Sequence, residues 1–304
     1  MKKIVFVFLS VLFFSPVLAA EPSVSTAGEV RPGSVLAVYL DGWTGFPGGS
    51  LEFQDGRRVD ASSFEVEGTK VILLGVPCTI SPGPAVLTLA GEYDGAPWTV
   101  ERDVMVLERE FRRETIPLNE RLTGIREDDK EARQRQSREL YDILITFHRE
   151  TAFDPGPYGQ PVEGARITSW FGDRRTYRYP DGSESRSIHS GVDLAAPVGT
   201  AVCSGGSGTV VFSGNRIITG KTVVVEHGPG VYSLYYHLED AFVEAGEAVY
   251  AGQVIGTVGM TGLATGPHLH WEIRVGGVPV DPDGLTAGSL IDKAPVISKI
   301  EQRD

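Results

Sequence analysis

Short apolar runs separated by turn residues dominate the chain and predict a mainly β protein. In its first part such runs cover residues 35–40, 70–74, 85–89 and 98–100, with Gly, Pro and Asp clusters between them. Several short strands at this spacing predict an immunoglobulin-like β-sandwich over residues 20–108. We find no residues in this segment that suggest chemistry, so a binding, spacing or steric role is expected for it.

The pattern changes to that of a helix in residues 109–155. No Pro or Gly occurs between residues 126 and 149, and Leu140, Ile143, Leu144 and Phe147 follow a helical spacing. The alternating charges that precede them are typical of a solvated helix face. We therefore predict a helical linker, with His148 exposed near its end.

Residues 156–285 return to short strands and glycine turns. Apolar runs at residues 209–212, 222–227, 231–237, 254–259 and 268–275 predict a second, antiparallel β domain. Residues 286–304 are interpreted as a C-terminal tail.

The N-terminus has the pattern of a signal for export. Lys2 and Lys3 precede an apolar run over residues 4–14, which is too short to span a bilayer, and Ala19 offers a cleavage site. We predict a signal peptide over residues 1–19 and a location in the periplasm or outside the cell. The alternative is a retained membrane anchor, and no later stretch is long and apolar enough to span a membrane.

The charge and the cysteine content exclude some classes of function. With 40 acidic against 28 basic residues the formal net charge is −12, which disfavours nucleic acid and anionic membranes as partners. The two cysteines are too few for a disulfide-stapled fold. Cys78 and Cys203 are either a bridge between the two domains or two buried thiols.

The second β domain contains two fragments with potential metal ligands. In a strand, His189, Gly191 and Asp193 would share one face, as would His268 and His270. Imidazole and carboxylate groups are ligands for zinc, and a catalytic zinc takes three protein ligands and leaves a fourth position for water. One histidine of the second fragment could complete such a set. Each fragment alone is weak evidence, but together in one β-rich segment they predict a zinc site.

The same segment resembles a known family over residues 160–285. The matching stretches are ITSWFG at 167–172, HSGVDLAAPVGT at 189–200, YHL at 236–238, TGLATGPHLHWE at 261–272 and VDP at 280–282. They closely resemble the lysostaphin/LytM-type zinc metallopeptidases, which cut peptidoglycan. The resemblance implies a domain with an open groove and one zinc ion held by His189, Asp193 and His270. It also implies catalytic roles for His237 and His268, and a structural role for His227.

The expected function is therefore that of a secreted zinc metalloendopeptidase acting on peptidoglycan stem peptides. One alternative is a non-hydrolytic envelope protein that binds peptidoglycan or activates an amidase, although all five site positions are filled. Another is a zinc D-Ala-D-Ala carboxypeptidase, whose motifs differ from the sequence at 266–270. The layout further suggests that the N-terminal β domain and the helix, which precede the groove, cover it and restrain the activity.

Overall fold

The computed structural model describes residues 22–291 and is mainly β, with antiparallel sheets, as predicted. The predicted signal peptide lies outside the described residues. Within residues 22–291 no helix has the length and apolar character needed to cross a membrane.

The first domain consists of two sheets around one core. Its strands are β1 (Ser23–Thr26), β2 (Glu29–Val30), β3 (Val35–Asp41), β4 (Thr44–Phe53), β5 (Arg58–Ser62), β6 (Phe64–Val66), β7 (Thr69–Gly75), β8 (Gly83–Tyr93) and β9 (Ala96–Val106). One sheet has the order β1-β3-β7-β6 and the other β2-β9-β8-β4-β5. Leu36 and Val38 from the first sheet share a buried cluster with Leu51 and Leu87 from the second. The immunoglobulin-like type of this arrangement remains a prediction.

Strand β7 explains the uninterrupted apolar run near residue 72, because both of its faces are buried. Ile72 and Leu74 lie in the core of the first domain. Val71 and Leu73 point the other way, into a cluster that also holds the core of the second domain. At Gly75 an added Cβ would lie 2.8 Å from Val278 Cβ, so the absence of a side chain there permits close approach of the two domains.

The linker contains one strand and two helices instead of one long helix: β10 (Arg113–Pro117), α1 (Glu120–Glu127) and α2 (Lys130–Leu144). The helices separate at Asp129, which has a left-handed φ of 45° and whose side chain accepts a hydrogen bond from the Ala132 amide. An N-cap of this kind starts a new helix and ends the preceding one. Leu140 and Leu144 then pack on Val224 and Leu234 of the second domain.

The second domain is built on a large antiparallel sheet of ten strands. Its elements are β11 (Arg166–Ser169), β12 (Arg174–Arg178), β13 (Glu184–Ile188), β14 (Val192–Ala195), β15 (Ala201–Cys203), β16 (Gly208–Arg216), β17 (Gly220–Gly228), β18 (Val231–Ala241), β19 (Ala248–Val249), β20 (Val254–Val258), β21 (His268–Val275), β22 (Val278–Val280) and α3 (Pro282–Ala287). The main path runs β11-β14-β21-β18-β17-β16-β19. Separately, β12 and β13 form a hairpin, and β10 of the linker pairs in parallel with β12.

Two boundary expectations are clarified by the structure. Leu290 and Ile291 are buried in the core of the second domain, so the packed chain continues past residue 285; the rest of the predicted tail lies outside the described residues. Cys78 and Cys203 are both free thiols, so no bridge joins the domains.

Candidate metal centre

The three predicted ligands meet where β14 and β21 pair. Asp193 lies directly opposite His270 in the antiparallel register. His189 precedes β14 and is not part of a strand, so the prediction of one continuous strand from 189 to 193 is wrong. Gly191 leaves no room for a side chain, because an added Cβ would lie 2.1 Å from the Trp271 carbonyl oxygen. The chain bends there and brings His189 back towards Asp193.

The ligand atoms form a tight triangle. His189 Nε2 lies 3.0 Å from Asp193 Oδ1 and 2.8 Å from His270 Nδ1, and His270 Nδ1 lies 2.8 Å from Asp193 Oδ1. A tetrahedral zinc ion with bonds near 2.0–2.1 Å would have ligand atoms about 3.3 Å apart. The triangle is slightly smaller than this, and small side-chain rotations would match it to such an ion.

Neighbouring groups fix which nitrogen of each ligand histidine faces the centre. His189 Nδ1 donates to the Trp170 carbonyl oxygen at 2.8 Å, and His270 Nε2 donates to Glu272 Oε1 at 2.9 Å. When both inner nitrogens are deprotonated, the lone pairs of His189 Nε2 and His270 Nδ1 would face each other across 2.8 Å. Such partners on the outer nitrogen are typical of metal-binding histidines. Two facing lone pairs and a carboxylate oxygen are a donor set that fits a zinc ion.

The electrostatics of the buried centre favour a positive charge. Burial acts to raise the pKa of Asp193, but hydrogen bonds from His189 and His270 hold that pKa well below its usual range. Burial acts to lower the pKa of His270, but Asp193 and Glu272 outweigh it and raise that pKa to about 9. Arg274 similarly overcomes burial and lowers the pKa of Glu272 to about 2. Both carboxylates are therefore anionic, and a metal ion would replace the proton between them.

The two predicted catalytic histidines stand beside this triangle. His268 begins β21, and its Nε2 lies 3.7 Å from Asp193 Oδ1 while its Nδ1 donates to the Gly266 carbonyl oxygen at 2.8 Å. His237 Nδ1 donates to the Thr261 carbonyl oxygen at 2.8 Å, and the rings of His237 and His268 are 4.8 Å apart. Burial, reinforced by His268 and His270, lowers the pKa of His237 to about 3. The structure thus brings all five predicted residues together.

Alternation along β21 explains how the sheet holds these groups. His270, Glu272 and Arg274 lie on one face, whereas Leu269 and Trp271 on the other are buried in the domain core. The Tyr236 ring, opposite His270 on β18, stacks on its imidazole at 5.2 Å between centroids. Four of the five site residues therefore lie on strands of this sheet, and His189 lies just before one of them.

The sequence analysis missed several groups that contact the ligands. Glu272 lies two residues after His270, so strand alternation could have indicated it. Arg175 donates from Nη2 to Asp193 Oδ2 at 2.6 Å and to Ser169 Oγ at 2.7 Å. No local pattern marks Arg175, because its partner Asp193 lies 18 positions further along the chain, in another strand.

The expected open groove is bordered by the linker. The metal centre lies in a cavity of about 190 Å³ whose wall includes four linker residues, Glu114, Ile116, Leu118 and Leu122. Leu118 and Leu122 are buried in a cluster with Tyr177 of β12. Arg121 donates to the Ala264 carbonyl oxygen at 3.2 Å, in the loop before β21. We call residues 113–127 the covering segment.

The remaining histidines lie away from the centre. His148 is exposed, as predicted, and its Nδ1 lies 3.0 Å from both carboxylate oxygens of Glu226. His227 is fully buried, with its two nitrogens 2.7 Å from the Ser207 carbonyl oxygen and from Ser233 Oγ. Neither histidine contacts a predicted ligand, which agrees with the structural role expected of His227.

We expect His227 to make the fold sensitive to acid. Burial lowers its pKa from an ordinary value near 6.5 to about 4. The unfolded chain therefore takes up this proton as the pH falls through 6.5, whereas the folded chain does so only near pH 4. Stability should fall by about 3 kcal/mol over that interval. Urea denaturation of metal-free protein at pH 7.5, 5.5 and 4 measures this. His227→Gln should show a shallower fall, and an unchanged slope would contradict the prediction.

Comparison with known proteins agrees with this geometry. Residues 187–282 match the model of Peptidase family M23. Over 123 residues the chain is 43% identical to the DD-carboxypeptidase/endopeptidase Mpg of Neisseria meningitidis, covering 40% of this chain and 27% of that protein. Over 122 residues it is 41% identical to the peptidoglycan DD-endopeptidase ShyA of Vibrio cholerae, covering 40% of this chain and 28% of that protein. The chain thus spans about a quarter of the length of these curated relatives.

A solved structure extends the similarity beyond the second domain. A Pseudomonas aeruginosa protein assigned to peptidase M23 superposes with a TM-score of 0.58 at 26% identity, covering 84% of this chain and 94% of that chain. The resemblance noted for residues 160–285 is thereby confirmed. Residues 187–282, which carry the whole metal centre, are a domain of peptidase family M23.

Proposed function

We propose that the protein is a zinc metalloendopeptidase that hydrolyses peptide cross-links of bacterial peptidoglycan. The observation that carries this proposal is the triangle of His189, Asp193 and His270, with His237 and His268 lining the same cavity as Asp193 and His270. The family of the second domain supports it, as do relatives named as peptidoglycan DD-endopeptidases. All five groups needed for hydrolysis are present, which disfavours the non-hydrolytic alternative.

The proposed mechanism divides the work among these residues. His189, Asp193 and His270 would hold the ion. Bound zinc lowers the pKa of a coordinated water to about 7 and polarises the scissile carbonyl. We assign the role of general base to His268, because its Nε2 is near Asp193 Oδ1 and its Nδ1–H is already engaged by a carbonyl.

His237 is assigned to the carbonyl oxygen of the substrate. Because its Nδ1 donates to Thr261, it can donate to that oxygen only when Nε2 also carries a proton. Burial opposes the resulting cation, as the pKa of about 3 shows. The negative charge that develops on the substrate would offset this cost, so His237 would stabilise the transition state more than the ground state.

We also propose that the protein acts in the cell envelope, in the periplasm or outside the cell. The N-terminal pattern of residues 1–19 supports export, and peptidoglycan lies in that compartment.

Purified protein incubated with defined cross-linked muropeptides tests the function. We expect mass spectrometry to show conversion of dimers to monomers, blocked by a chelator and restored by zinc. Release of a terminal D-alanine from monomers would indicate carboxypeptidase activity, which the name of the Neisseria relative includes. Intact dimers at high enzyme concentration, with zinc bound, would contradict the proposal.

The covering segment is proposed to restrain this activity within the chain. Its support is that Leu118 and Leu122 are buried against Tyr177 and line the cavity that a substrate peptide must enter. Paired backbone hydrogen bonds of β10 and β12 hold the segment in place. A displaced segment would leave the ligands and both histidines accessible.

Changing Leu118 and Leu122 together to Glu should release the segment, because burying two carboxylates without partners is costly. We expect kcat/KM on muropeptides to rise at least ~10-fold, which corresponds to a shift of about 1.4 kcal/mol in the covering equilibrium. Val86→Glu, an exposed apolar position in the first domain, is the matched control. Unchanged kcat/KM in a folded double variant would exclude restraint by this segment.

A further inference from the structure

A buried arginine joins the covering segment to the metal centre. Arg175 Nη2 donates to Asp193 Oδ2, and its Nε donates to Glu114 Oε1 of the covering segment. The Ser169 hydroxyl lies 3.0 Å from the same Glu114 oxygen and 3.2 Å from Asp173 Oδ2. The Glu114 carboxylate of the covering segment therefore accepts hydrogen bonds from two donors of the peptidase domain.

These two donors have little exposure to water. The Arg175 side chain is only 12% exposed, and Ser169 is 5% exposed. Asp193 lies in β14 and would keep its ion pair with Arg175 when a substrate enters. Glu114 belongs to the covering segment, which must move away before a substrate can enter. After that movement Arg175 Nε would lack the acceptor that Glu114 provides in the covered form, which is unfavourable unless another group takes the place of Glu114.

We propose that Ser169 and Arg175 form a subsite for a free carboxylate of the substrate peptide, and that Glu114 occupies this subsite in the covered form. The proposal rests on the function proposed above and makes Arg175 a residue that determines specificity. Arg175 donates directly to the ligand Asp193, so the carboxylate it binds must lie next to the scissile bond. The preferred substrates are thus peptides with a free carboxylate adjoining the bond that is cut.

The charge of the subsite selects a carboxylate over its amide. Guanidinium and carboxylate form charge-assisted hydrogen bonds that are roughly twice as strong as neutral ones. A carboxamide could accept one hydrogen bond but would replace an anionic partner of Arg175 with a neutral one, leaving the ion pair with Asp193. This difference predicts discrimination between two substrates that are otherwise identical.

The test uses two peptides that differ only in whether the carboxylate beside the scissile bond is free or converted to a carboxamide. We expect zinc-loaded full-length protein to show kcat/KM at least ~10-fold higher for the carboxylate peptide. Arg175→Gln should reduce that ratio to within about twofold, mainly through KM, and Ser169→Ala should reduce it in part. If Arg175 only positioned Asp193, its loss would lower the activity on both peptides and leave the ratio unchanged.

Arg178→Gln is the matched control, because Arg178 lies on the same strand but is exposed and paired with Glu184. Glu114→Gln should lower KM for the carboxylate peptide, since the neutral side chain competes less well for the subsite. All measurements are repeated in the background in which both Leu118 and Leu122 are changed to Glu, so that access to the cavity does not limit the result.

Binding separates failure of this inference from failure of the proposed function. Calorimetry uses the same peptide pair with a reduced, non-hydrolysable bond at the scissile position. Tighter binding of the carboxylate form, lost in Arg175→Gln, supports the subsite even if no peptide is cut. Equal binding of the two forms by both the wild-type and the double-variant protein overturns it, even if both peptides are hydrolysed.

Discussion

Asp193→Ala and His189→Ala proteins are expected to contain almost no zinc after purification and to lack hydrolytic activity. Each change removes one of three ligand atoms that now lie within 3.0 Å of one another. Loss of an outer partner of a ligand typically costs ~10–100-fold in metal affinity, and loss of the ligand itself should cost more. Metal analysis by mass spectrometry, together with a zinc titration against a competing chelator, measures the effect.

His148→Ala is the matched control for these ligand variants. His148 is exposed, and its imidazole contacts Glu226, which is not one of the predicted site residues. The control variant should bind zinc like the wild-type protein. A folded Asp193→Ala protein that retained one zinc per chain with wild-type affinity would show that the ion is held elsewhere.

The second large effect is expected from His237→Ala and His268→Ala, which should keep zinc and lose activity. Neither imidazole belongs to the ligand triangle, but both face the same cavity. Removing a general acid or base typically costs ~10²–10⁴ in rate, and we expect kcat to fall by such a factor with little change in zinc content. Steady-state kinetics on a defined muropeptide, with metal content measured on the same samples, checks this.

The two variants should also differ from each other in their dependence on pH. If His268 is the base, the acidic limb of the kcat/KM profile should disappear in His268→Ala and persist in His237→Ala. Activity near that of the wild-type protein in either variant would remove that residue from the mechanism.

The sequence predicted the site well where local alternation determines which side chains meet. His268 and His270 share one face of β21 because they are two residues apart in a regular strand. The same rule failed at His189, because the chain bends before β14 where Gly191 packs on the neighbouring backbone. His237 was placed by the resemblance, and no pattern could have shown its left-handed φ of 62°.

Contacts between distant segments were the least predictable part of the molecule. The parallel pairing of β10 with β12 joins residues about 60 positions apart, such as Glu114 and Arg175. Both segments are rich in charged residues, so their hydrophobic pattern did not indicate that they pair. The break between α1 and α2 was hidden similarly, because Asp129 lies within a run of charged residues and acts through its side chain as a cap.

Strand β7, buried on both faces, has a consequence for how the protein unfolds and how it can open. Its side chains belong alternately to the cores of the two domains. Unfolding of either core would therefore expose one face of this strand to water. The domains should therefore unfold in a single cooperative transition. A swing of the first domain away from the second would expose Val71 and Leu73 to water, which makes a large hinge motion unfavourable. Access to the metal centre must instead come from peeling away the short covering segment, and deleting the first domain would damage the enzyme before it relieved any restraint.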